Sequence, residues 1–437
     1  MTDSSHEEIA AGPARQRSIY LNGLAGRRPT VPTHAVELAR QAKRAMSAEA
    51  WAYIAGGAGA GATMRANREA LDRRGIVPRM MRDVARRDLS IELFGATHAS
   101  PLLLAPIGVL DIANRDGDLA VARAAAKEGV PMVISSQASV PMEAIARATG
   151  STSPWFQLYW GTANDLMSSF VHRAEACGCS AIVLTLDTKL LGWRTRDLDL
   201  GSLPFLRGMG IAQYTSDPVF RSHLRDPLPI TGSRPRLNVS SARALVELGR
   251  RARAAGLSLA DMRRSVRRFA ATYSRPSLDW SDLELLRRET ALPIVLKGIQ
   301  HPDDARLAID SGVNAIVVSN HGGRQLDGAI GSLDALPEIS RVVNGRIPIL
   351  FDSGIRGGAD IFQALALGAT AVLLGRPYVY GLSIAGEDGV REVIRNVIAE
   401  LDLTLGLAGY DSVRCLTADA LSQQSPDETV ADTEYNA

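Results

Sequence analysis

Two hydrophobic patterns alternate along the chain from residue 101 onward. Short apolar runs rich in valine, isoleucine and leucine predict strands buried on both faces, and stretches with apolar residues every three to four positions predict amphipathic helices. The predicted strands cover residues 102–107, 131–135, 155–159, 181–186, 293–297, 315–319, 348–351 and 371–374. The predicted helices cover residues 118–128, 141–148, 164–176, 302–310, 333–343, 358–367 and 387–403.

Eight apolar strands with helices between them indicate an α/β fold with a parallel sheet, and we predict a (β/α)8 TIM barrel. A doubly wound open sheet is the alternative. The sequences GVPMVIS, GCSAIVL, GVNAIVV and GATAVLL favour the barrel, because each places a glycine at a helix end before a short turn and a strand. Residues 34–55 are predicted to form an additional N-terminal helical segment that stops at Gly56 and Gly57.

The alternation is interrupted between the fourth and fifth predicted strands. Residues 195–290 are predicted to form a lid insertion over the barrel mouth, because so long a connection is usually functional or disordered. Within it, residues 240–273 have a helical, arginine-rich pattern. Residues 1–18 and 421–437 are polar and are predicted to be disordered tails, which leaves residues 19–420 as a single barrel domain.

Charge and composition exclude several classes of function. Lysine and arginine total 49 against 47 acidic residues, and a net charge of +2 is too small to predict a nucleic-acid partner. No apolar run is long enough to cross a membrane, and the N-terminus lacks the apolar core of a signal peptide. The three cysteines have neither disulfide-framework nor zinc-site spacing. We expect a cytoplasmic protein that binds no nucleic acid, no membrane and no metal.

Polar and glycine-rich residues follow the predicted strands, and in a barrel these strand ends converge on one mouth. The last two ends, DSGIRGG and LGRP, place Arg356 and Arg376 beside glycine-rich turns, which is typical of a phosphate site. Only four of the 49 basic residues are lysine, and Lys297 alone among them stands at a strand end. Its ammonium group could pair with a carboxylate or with the N1–C2=O region of a flavin.

Acid–base and anion-binding candidates occur at the remaining strand ends. Asp187 and His321 suggest a general base, because a histidine beside a carboxylate can hold its pKa near working pH; a structural histidine is the alternative. Arg194 and Arg324 are predicted to form a fork for a carboxylate substrate. Tyr53 and Tyr159 could each donate a phenol hydrogen bond, and a place in the hydrophobic core is the alternative for either.

Two long motifs carry a family resemblance. IVVSNHGGRQLD at residues 316–327 and FDSGIRGGADIFQALALGATAVLLGRPYVYGL at residues 351–382 resemble the FMN-dependent 2-hydroxy acid oxidase/dehydrogenase family, and the resemblance extends over about residues 34–415. The resemblance implies FMN as cofactor, a small 2-hydroxy acid and O2 as reactants, and a homotetramer or homo-octamer. A non-catalytic flavin- or phosphate-binding barrel and an isomerase or aldolase with Lys297 as Schiff base are the rival classes.

The same resemblance implies a role for each candidate residue. His321 is the base, Asp187 stabilises its protonated form, and Arg324, Arg194 and Tyr53 bind the substrate carboxylate. Tyr159 binds the substrate or product oxygen, and Gln137, which replaces a bulkier or aromatic residue of many members, faces the substrate side chain. The implied flavin contacts are Ala105, Pro106, Ile107, Gly108, Ser135, Gln157, Thr185, Lys297 and Ser319, and the implied ribityl and phosphate contacts are Asp352, Ser353, Gly354, Arg356, Gly375 and Arg376.

Within the family, the chain looks most similar to the lactate 2-monooxygenase subgroup. Four passages carry this likeness: APIGV, TLDTKLLGWRTRDL, PFLRGMGIAQYTSDPVFRSHL and FDSGIRGGADI. Many family oxidases have alanine where this chain has Gly108, whereas the monooxygenase subgroup has glycine. The expected reaction is L-lactate and O2 to acetate, CO2 and water. An oxidase that releases 2-oxo acid and H2O2, or a quinone-linked dehydrogenase, is the alternative.

Overall fold

A parallel eight-stranded barrel organises the computed structural model, which describes residues 11–227 and 239–423. Its strand order is β4-β11-β10-β9-β8-β7-β6-β5, and a parallel bridge between Leu104 and Met132 joins the two outer strands. This closure confirms the predicted (β/α)8 barrel and excludes the open sheet. The barrel strands are β4 (Leu102–Leu104), β5 (Val133–Ile134), β6 (Trp155–Leu158), β7 (Ile182–Thr185), β8 (Ile294–Ile299), β9 (Ala315–Val318), β10 (Ile349–Phe351) and β11 (Ala371–Leu374). The other strands are β1 (Arg74–Ile76), β2 (Ile91–Leu93), β3 (Ala96–His98) and β12 (Leu421–Gln423).

Helices surround the barrel and cover its outer face. Those N-terminal to β7 are α1 (Ala11–Leu24), α2 (Ala35–Ala45), α3 (Ala48–Ala55), α4 (Ala62–Asp72), α5 (Gly117–Lys127), α6 (Met142–Ala148) and α7 (Asn164–Ala176). Between β7 and β8 lie α8 (Thr195–Asp199), α9 (Ala212–Ser216), α10 (Pro218–His223), α11 (Val239–Ala254), α12 (Leu259–Thr272) and α13 (Leu283–Glu289). The last are α14 (Pro302–Asp310), α15 (Ser332–Val343), α16 (Gly358–Ala366) and α17 (Arg376–Leu407).

The barrel strands owe their position to their composition. Every residue of β4, β9 and β11 is buried, because aliphatic side chains alternate between the barrel interior and the surrounding helices. All eight predicted strands are present, with shorter ends in most cases. The seven predicted helices are also present within a residue or two, except that α17 begins at Arg376 rather than at 387 and is interrupted at Ala385 and Gly386.

Three terminal predictions need correction. Residues 11–18, predicted as part of a disordered tail, begin α1, which is anchored by a hydrogen bond from the Gly12 N–H to Asp402 Oδ2 at 2.8 Å. Residues 421–423, predicted as the start of the other tail, form β12 and pair antiparallel with β1. The predicted helix 34–55 divides into α2 and α3, because Ser47 caps α3 by accepting a hydrogen bond from the Ala50 N–H. Residues 1–10 and 424–437 lie outside the described residues.

The predicted insertion is a set of helices packed on the barrel mouth. The predicted helical stretch 240–273 corresponds to α11 and α12, while residues 228–238 lie outside the described residues. Phe269 of α12 stands at the centre of an aromatic cluster and contacts Phe205, Tyr214 and Tyr273. The insertion therefore has a core of its own that holds α12 against the segment 204–220. In the described part of the chain, no helix is long and apolar enough to cross a bilayer.

Candidate active site

One cavity at the carboxyl ends of the barrel strands brings the predicted site residues together. Its wall includes residues predicted at all eight strand ends, together with Tyr53 from α3. Four predicted residues stand behind this wall: Asp187, Ser135 and Ser319 form hydrogen bonds with residues that line it, and Gln157 accepts a hydrogen bond from Ser135. The barrel mouth is thus the site that the strand ends indicated.

A histidine–carboxylate pair occupies one side of the cavity. His321 Nδ1 lies 2.8 Å from Asp187 Oδ1, and the backbone N–H of His321 donates to Ser319 Oγ at 3.1 Å. Burial lowers the pKa of His321 below its usual value, although Asp187 opposes this shift. Burial raises the pKa of Asp187, but His321 and Lys297 outweigh burial and hold that pKa below its usual value. A neutral imidazole beside an ionised carboxylate can accept a proton at Nε2.

Two buried arginines face the same cavity without a carboxylate partner. Within residues 11–227 and 239–423, neither Arg194 nor Arg324 forms an ion pair. Arg324 donates to the Tyr53 and Gly56 carbonyls, and its guanidinium lies 5.0 Å from the centroid of the Tyr53 ring. Burial and the neighbouring Arg194 lower the pKa of Arg324 to about 9. Buried cations need a compensating anion, so this pair is suited to a carboxylate ligand.

The remaining substrate-side candidates lie around this pair. Burial raises the pKa of Tyr53 and of Tyr159, so both stay protonated phenols that can donate a hydrogen bond. Gln137 packs directly against Gly108: a Cβ added at Gly108 would lie 2.7 Å from Gln137 Cβ and 3.0 Å from Gln137 O. Glycine at position 108 therefore permits the present course of the turn that carries Gln137.

Lys297 pairs with a buried carboxylate and also reaches the cavity. Its Nζ donates to Ser319 Oγ and forms an ion pair with Asp352 Oδ2, each at 2.8 Å, and the side chain also lines the cavity. Burial lowers the pKa of Lys297, but Asp352 and Asp187 outweigh burial and hold it above its usual value. An ammonium group that stays protonated is unsuited to Schiff-base formation. It remains able to stabilise negative charge in the cavity.

Two buried polar atoms, one on the cavity wall and one behind it, suit the polar edge of a flat heteroaromatic ring. Gln157 Nε2 and Thr185 Oγ1 are buried and have no hydrogen-bond partner among the described residues. The Gln157 Oε1 is held by Ser135 Oγ and by the Ser136 N–H, which leaves Nε2 free to donate. A Cβ added at Gly375 would make only ordinary van der Waals contacts, with side-chain atoms of Ala105 and Ile107 at 3.9 Å. These features fit the hydrogen-bonding edge and the face of a flavin.

The two arginines predicted to bind phosphate also line this cavity. The Arg376 guanidinium donates to the carbonyls of Ile54, Gly322 and Gly56 at 3.0–3.1 Å. The side chain of Arg356 forms no ion pair among the described residues. The turn at Ser353 and Gly354, just before Arg356, also lines the cavity and has positive φ values of 83° and 107°. An anionic end of a ligand fits here.

Sequence reasoning missed several residues that support the site. Asn67 and Asn320 exchange two side-chain amide hydrogen bonds, at 2.9 and 2.7 Å, and Asn320 also caps the 3-10 turn of His321. Asp197 is buried near Arg194 and Arg324, and burial raises its pKa. Gln325 contacts the loop that carries Arg194. Asn320 and Gln325 flank His321 in one motif and were available as candidates, whereas nothing in the sequence marked Asn67.

Comparison with known proteins agrees with this geometry. The family model for FMN-dependent dehydrogenase matches residues 42–423. The chain is 40% identical over 412 residues to the FMN-dependent alpha-hydroxy acid dehydrogenase qulF of Penicillium citrinum, covering 94% of this chain and 96% of that one. It is 42% identical over 364 residues to an L-lactate oxidase of Lysinibacillus sphaericus, covering 83% and 86%. The crystal structure of mandelate oxidase with (S)-4-hydroxymandelic acid is similar at a TM-score of 0.74 and 36% identity, covering 90% of this chain and 98% of that one.

Proposed function

Because the chain belongs to the FMN-dependent dehydrogenase family and so uses FMN to oxidise a 2-hydroxy acid, we propose that it is a lactate 2-monooxygenase. The proposed reaction converts L-lactate and O2 to acetate, CO2 and water. The observation that supports the oxidation step is the placement of the His321–Asp187 pair and the Arg194–Arg324 pair around one cavity. A base and a carboxylate site in one pocket match the two functional groups of a 2-hydroxy acid.

In the proposed mechanism, this chain's residues bind the acid and move one proton. Arg194, Arg324 and the Tyr53 phenol hold the carboxylate, and the Tyr159 phenol donates to the oxygen that is the hydroxyl of the substrate and the keto oxygen of the product. Because Nδ1 of His321 is engaged by Asp187, Nε2 accepts the proton of the substrate hydroxyl. Asp187 then stabilises the imidazolium by its ion pair. When bound, FMN would supply the acceptor for the substrate's α-hydrogen together with its electron pair, and O2 would be the final oxidant.

We assign the cofactor to the other side of the cavity. Lys297, Thr185, Gln157 and the supporting Ser135 and Ser319 would contact the isoalloxazine ring, together with the backbone of residues 105–108. Arg356, Arg376 and the turn from Asp352 to Gly354, with Gly375, would hold the ribityl chain and the phosphate. The unpaired polar atoms at Gln157 and Thr185 support this placement, since a buried polar atom without a partner is rare.

The monooxygenase outcome depends on what happens after oxidation. If pyruvate leaves slowly, the H2O2 formed beside it attacks its keto carbon, the bond to the carboxylate breaks, and acetate, CO2 and water are released; if it leaves quickly, pyruvate and H2O2 are the products. Gly108 lines the cavity that pyruvate must leave, and the insertion between β7 and β8 packs against the same wall, where a Cβ added at Gly210 would lie 2.9 Å from Gln137 O. The subgroup likeness at Gly108 favours slow release. An L-2-hydroxy acid oxidase is the second candidate, because L-lactate oxidases are among the similar proteins.

Product analysis tests this proposal. The purified, yellow protein is mixed without O2 with L-lactate, glycolate, (S)-mandelate and a longer 2-hydroxy acid, and bleaching of the FMN absorbance is recorded. We expect the fastest bleaching with L-lactate and, in air, one acetate formed per O2 consumed without free H2O2. Equal amounts of pyruvate and H2O2 would identify an oxidase instead. Turnover with a quinone and not with O2 would identify a dehydrogenase.

A homotetramer or homo-octamer in the cytoplasm is part of the same proposal. Large apolar side chains are exposed around the loop after β7, among them Trp193 at 72% and Leu190 at 67% exposure. Exposed apolar residues near one another are typical of a subunit contact. Light scattering on the holoenzyme measures the mass, and a monomer at micromolar concentration would contradict this part.

A further inference from the structure

The side-chain amide of Gln325 connects the two loops that carry the acid–base pair and the carboxylate site. Its Oε1 accepts from Arg194 Nη2 at 2.9 Å and from the Gly192 N–H at 3.4 Å. Its Nε2 donates to the Asp187 carbonyl at 2.9 Å and to the Leu190 carbonyl at 2.8 Å. All four contacts lie on the loop after β7, while Gln325 itself follows the His321 turn after β9.

These four contacts use the full hydrogen-bonding capacity of a carboxamide, which has two donors and two acceptor positions. They also fix its orientation. A rotated amide would place its NH2 group against the Arg194 guanidinium and the Gly192 N–H, and its oxygen against two carbonyls, so every contact would become repulsive. Only a carboxamide at this position satisfies both a guanidinium and two backbone carbonyls at once.

The backbone brings the two loops close enough for this connection. A Cβ added at Gly192 would lie 2.5 Å from the Arg324 carbonyl oxygen and 2.6 Å from that of Gln325. Arg194 Nε also donates to the Arg324 carbonyl at 3.4 Å. The loop after β7 therefore lies directly on the residues that follow His321, and the Gln325 side chain is the link at their junction.

We infer that Gln325 is a positioning residue that controls two parts of the reaction through separate halves of its amide. The Oε1 half orients the Arg194 guanidinium toward the substrate carboxylate. The Nε2 half fixes the backbone of Asp187 and, through Asp187, the orientation of the His321 base. The inference rests on the roles proposed above for Arg194 and His321. It predicts that the two halves can be separated by mutation.

Two substitutions separate the two halves of the Gln325 amide. Gln325→Met keeps the length of the side chain and removes all four hydrogen bonds, so we expect KM for the 2-hydroxy acid to rise about tenfold or more and kcat to fall about tenfold. Gln325→Glu keeps oxygens facing Arg194 but replaces the donors that face Asp187 and Leu190. We expect kcat to fall about tenfold while KM stays within about threefold of the original value. A residue that only stabilised the fold would not divide KM from kcat in this way.

The matched control is Gln300→Met. Gln300 follows β8, and among the described residues its amide makes one exposed hydrogen bond, to the Ile330 carbonyl at 3.4 Å. We expect its KM and kcat to match those of the original enzyme. Each variant is first checked for bound FMN and for melting temperature, and substrate-site affinity is measured directly by titrating the FMN absorbance with oxalate.

Arg194→Met separates failure of this inference from failure of the proposed site. We expect Arg194→Met and Gln325→Met to weaken oxalate binding, with Gln325→Met the smaller effect. If Arg194→Met weakens it and Gln325→Met leaves oxalate affinity, KM and kcat unchanged, the positioning role is overturned while the carboxylate site stands. If Arg194→Met has no effect on oxalate or KM, the proposed carboxylate site itself is wrong. Equal losses of kcat in Gln300→Met and Gln325→Met would also overturn the inference.

Discussion

At the scale of single residues, the protonation state of His321 depends on two opposing effects, burial and the Asp187 carboxylate. Burial removes water from the imidazole and lowers its pKa, while the Asp187 carboxylate at 2.8 Å raises it. The net direction is downward, so the imidazole is neutral, and able to act as a base, at pH values below the usual range for histidine. Activity that depends on this base should therefore persist into mildly acidic solution.

Asp187→Asn tests the direction of this balance. The carboxylate raises the pKa of His321, so its removal lowers that pKa further and shifts the acid limb of the kcat/KM profile to lower pH. The plateau should fall by about 10²-fold or more, because the imidazolium formed during the reaction loses its partner. The measurement is kcat/KM between pH 4.5 and 8. Asp165→Asn, which removes the partner of the His223 ring at 2.8 Å, is the control and should change neither feature. An acid limb that moves to higher pH would contradict the assignment.

Gly108 and Gln137 act as one unit at the cavity wall. Since an added Cβ would approach Gln137 Cβ to 2.7 Å, Gly108→Ala must displace the turn after β5 rather than simply fill space. We expect the ratio of H2O2 to acetate to rise with L-lactate, because the altered wall favours early release of pyruvate. Acetate and H2O2 are quantified in air. The control is Gly249→Ala, because a Cβ added at Gly249 would have no described atom within 4 Å; Gly345 is unsuitable because its φ is positive. An unchanged ratio would remove Gly108 from the explanation.

At the scale of elements, the insertion is attached to the barrel mouth by a charged contact. Arg251 of α11 forms an ion pair with Asp111 Oδ2 at 2.6 Å, and Ser139 donates to the other Asp111 oxygen, also at 2.6 Å. Asp111 follows the Gly108 turn, and Ser139 follows Gln137. The contact therefore connects α11 to the two turns that border the proposed substrate side of the cavity.

Arg251→Met should loosen this attachment without removing apolar contact. If slow release of pyruvate keeps the product in place, the variant should release more pyruvate and H2O2 per turnover, with the rate of FMN reduction by substrate unchanged within about twofold. Rapid-mixing absorbance gives the reduction rate, and product analysis in air gives the ratio. Arg264→Met is the control, because among residues 11–227 and 239–423 Arg264 pairs only with Asp261 of its own helix, at 3.2 Å. A reduction rate that falls with Arg251→Met would place this contact in the chemical step instead.

Elements marked by a hydrophobic pattern of their own were predictable, and those held only by contacts with distant segments were not. The strands of the barrel are marked by continuous aliphatic runs such as residues 315–318, and the helices beside them by their periodicity. The helix α1 is polar and has no such periodicity; it is held by contacts of Gly12 and Arg15 with α17, more than 370 residues away. The strand β12 likewise depends on β1. Local sequence does not encode these partners.

The same distinction applies to the site. Strand ends and two motifs identified the residues that line the cavity, because the barrel topology itself brings those positions together. The reciprocal amide pair of Asn67 and Asn320 was missed, since it joins α4 to the His321 turn and shows no pattern in either segment. Specific hydrogen bonds between distant side chains depend on the final packing, which the chain's periodicity does not describe.

At the scale of the whole molecule, FMN should act as part of the fold. Without it, Gln157 and Thr185 retain buried polar atoms that have no partner in the described part of the chain, and Arg194, Arg324 and Arg376 surround one cavity with positive charge. A ligand that binds only the native state stabilises it by about 2.7 kcal/mol at a free concentration of about 100 times its Kd. Removal of FMN should therefore lower the melting temperature by several degrees.

Comparison of FMN with riboflavin tests which contacts supply this stabilisation. Added to the cofactor-free protein at equal concentration, FMN should raise the melting temperature more than riboflavin, because riboflavin lacks the phosphate expected at Arg356 and Arg376. The difference between them should shrink in Arg356→Met. Equal stabilisation by both compounds would place the phosphate away from these arginines, and stabilisation by neither would refute the cofactor site. Differential scanning fluorimetry measures the melting temperature of both proteins with each compound.

The insertion begins and ends on neighbouring strands, and this has an evolutionary consequence. Thr185 at the end of β7 is the register partner of Lys297 in β8, so the chain leaves and rejoins the barrel at adjacent points. Asp187 and Arg194 precede the insertion helices, and His321 follows them. Natural selection can therefore lengthen, shorten or exchange the intervening segment as a cassette while the residues proposed for oxidation keep their places. The fate of the oxidised product can then diverge among descendants of one ancestor without any change in how its substrate is oxidised.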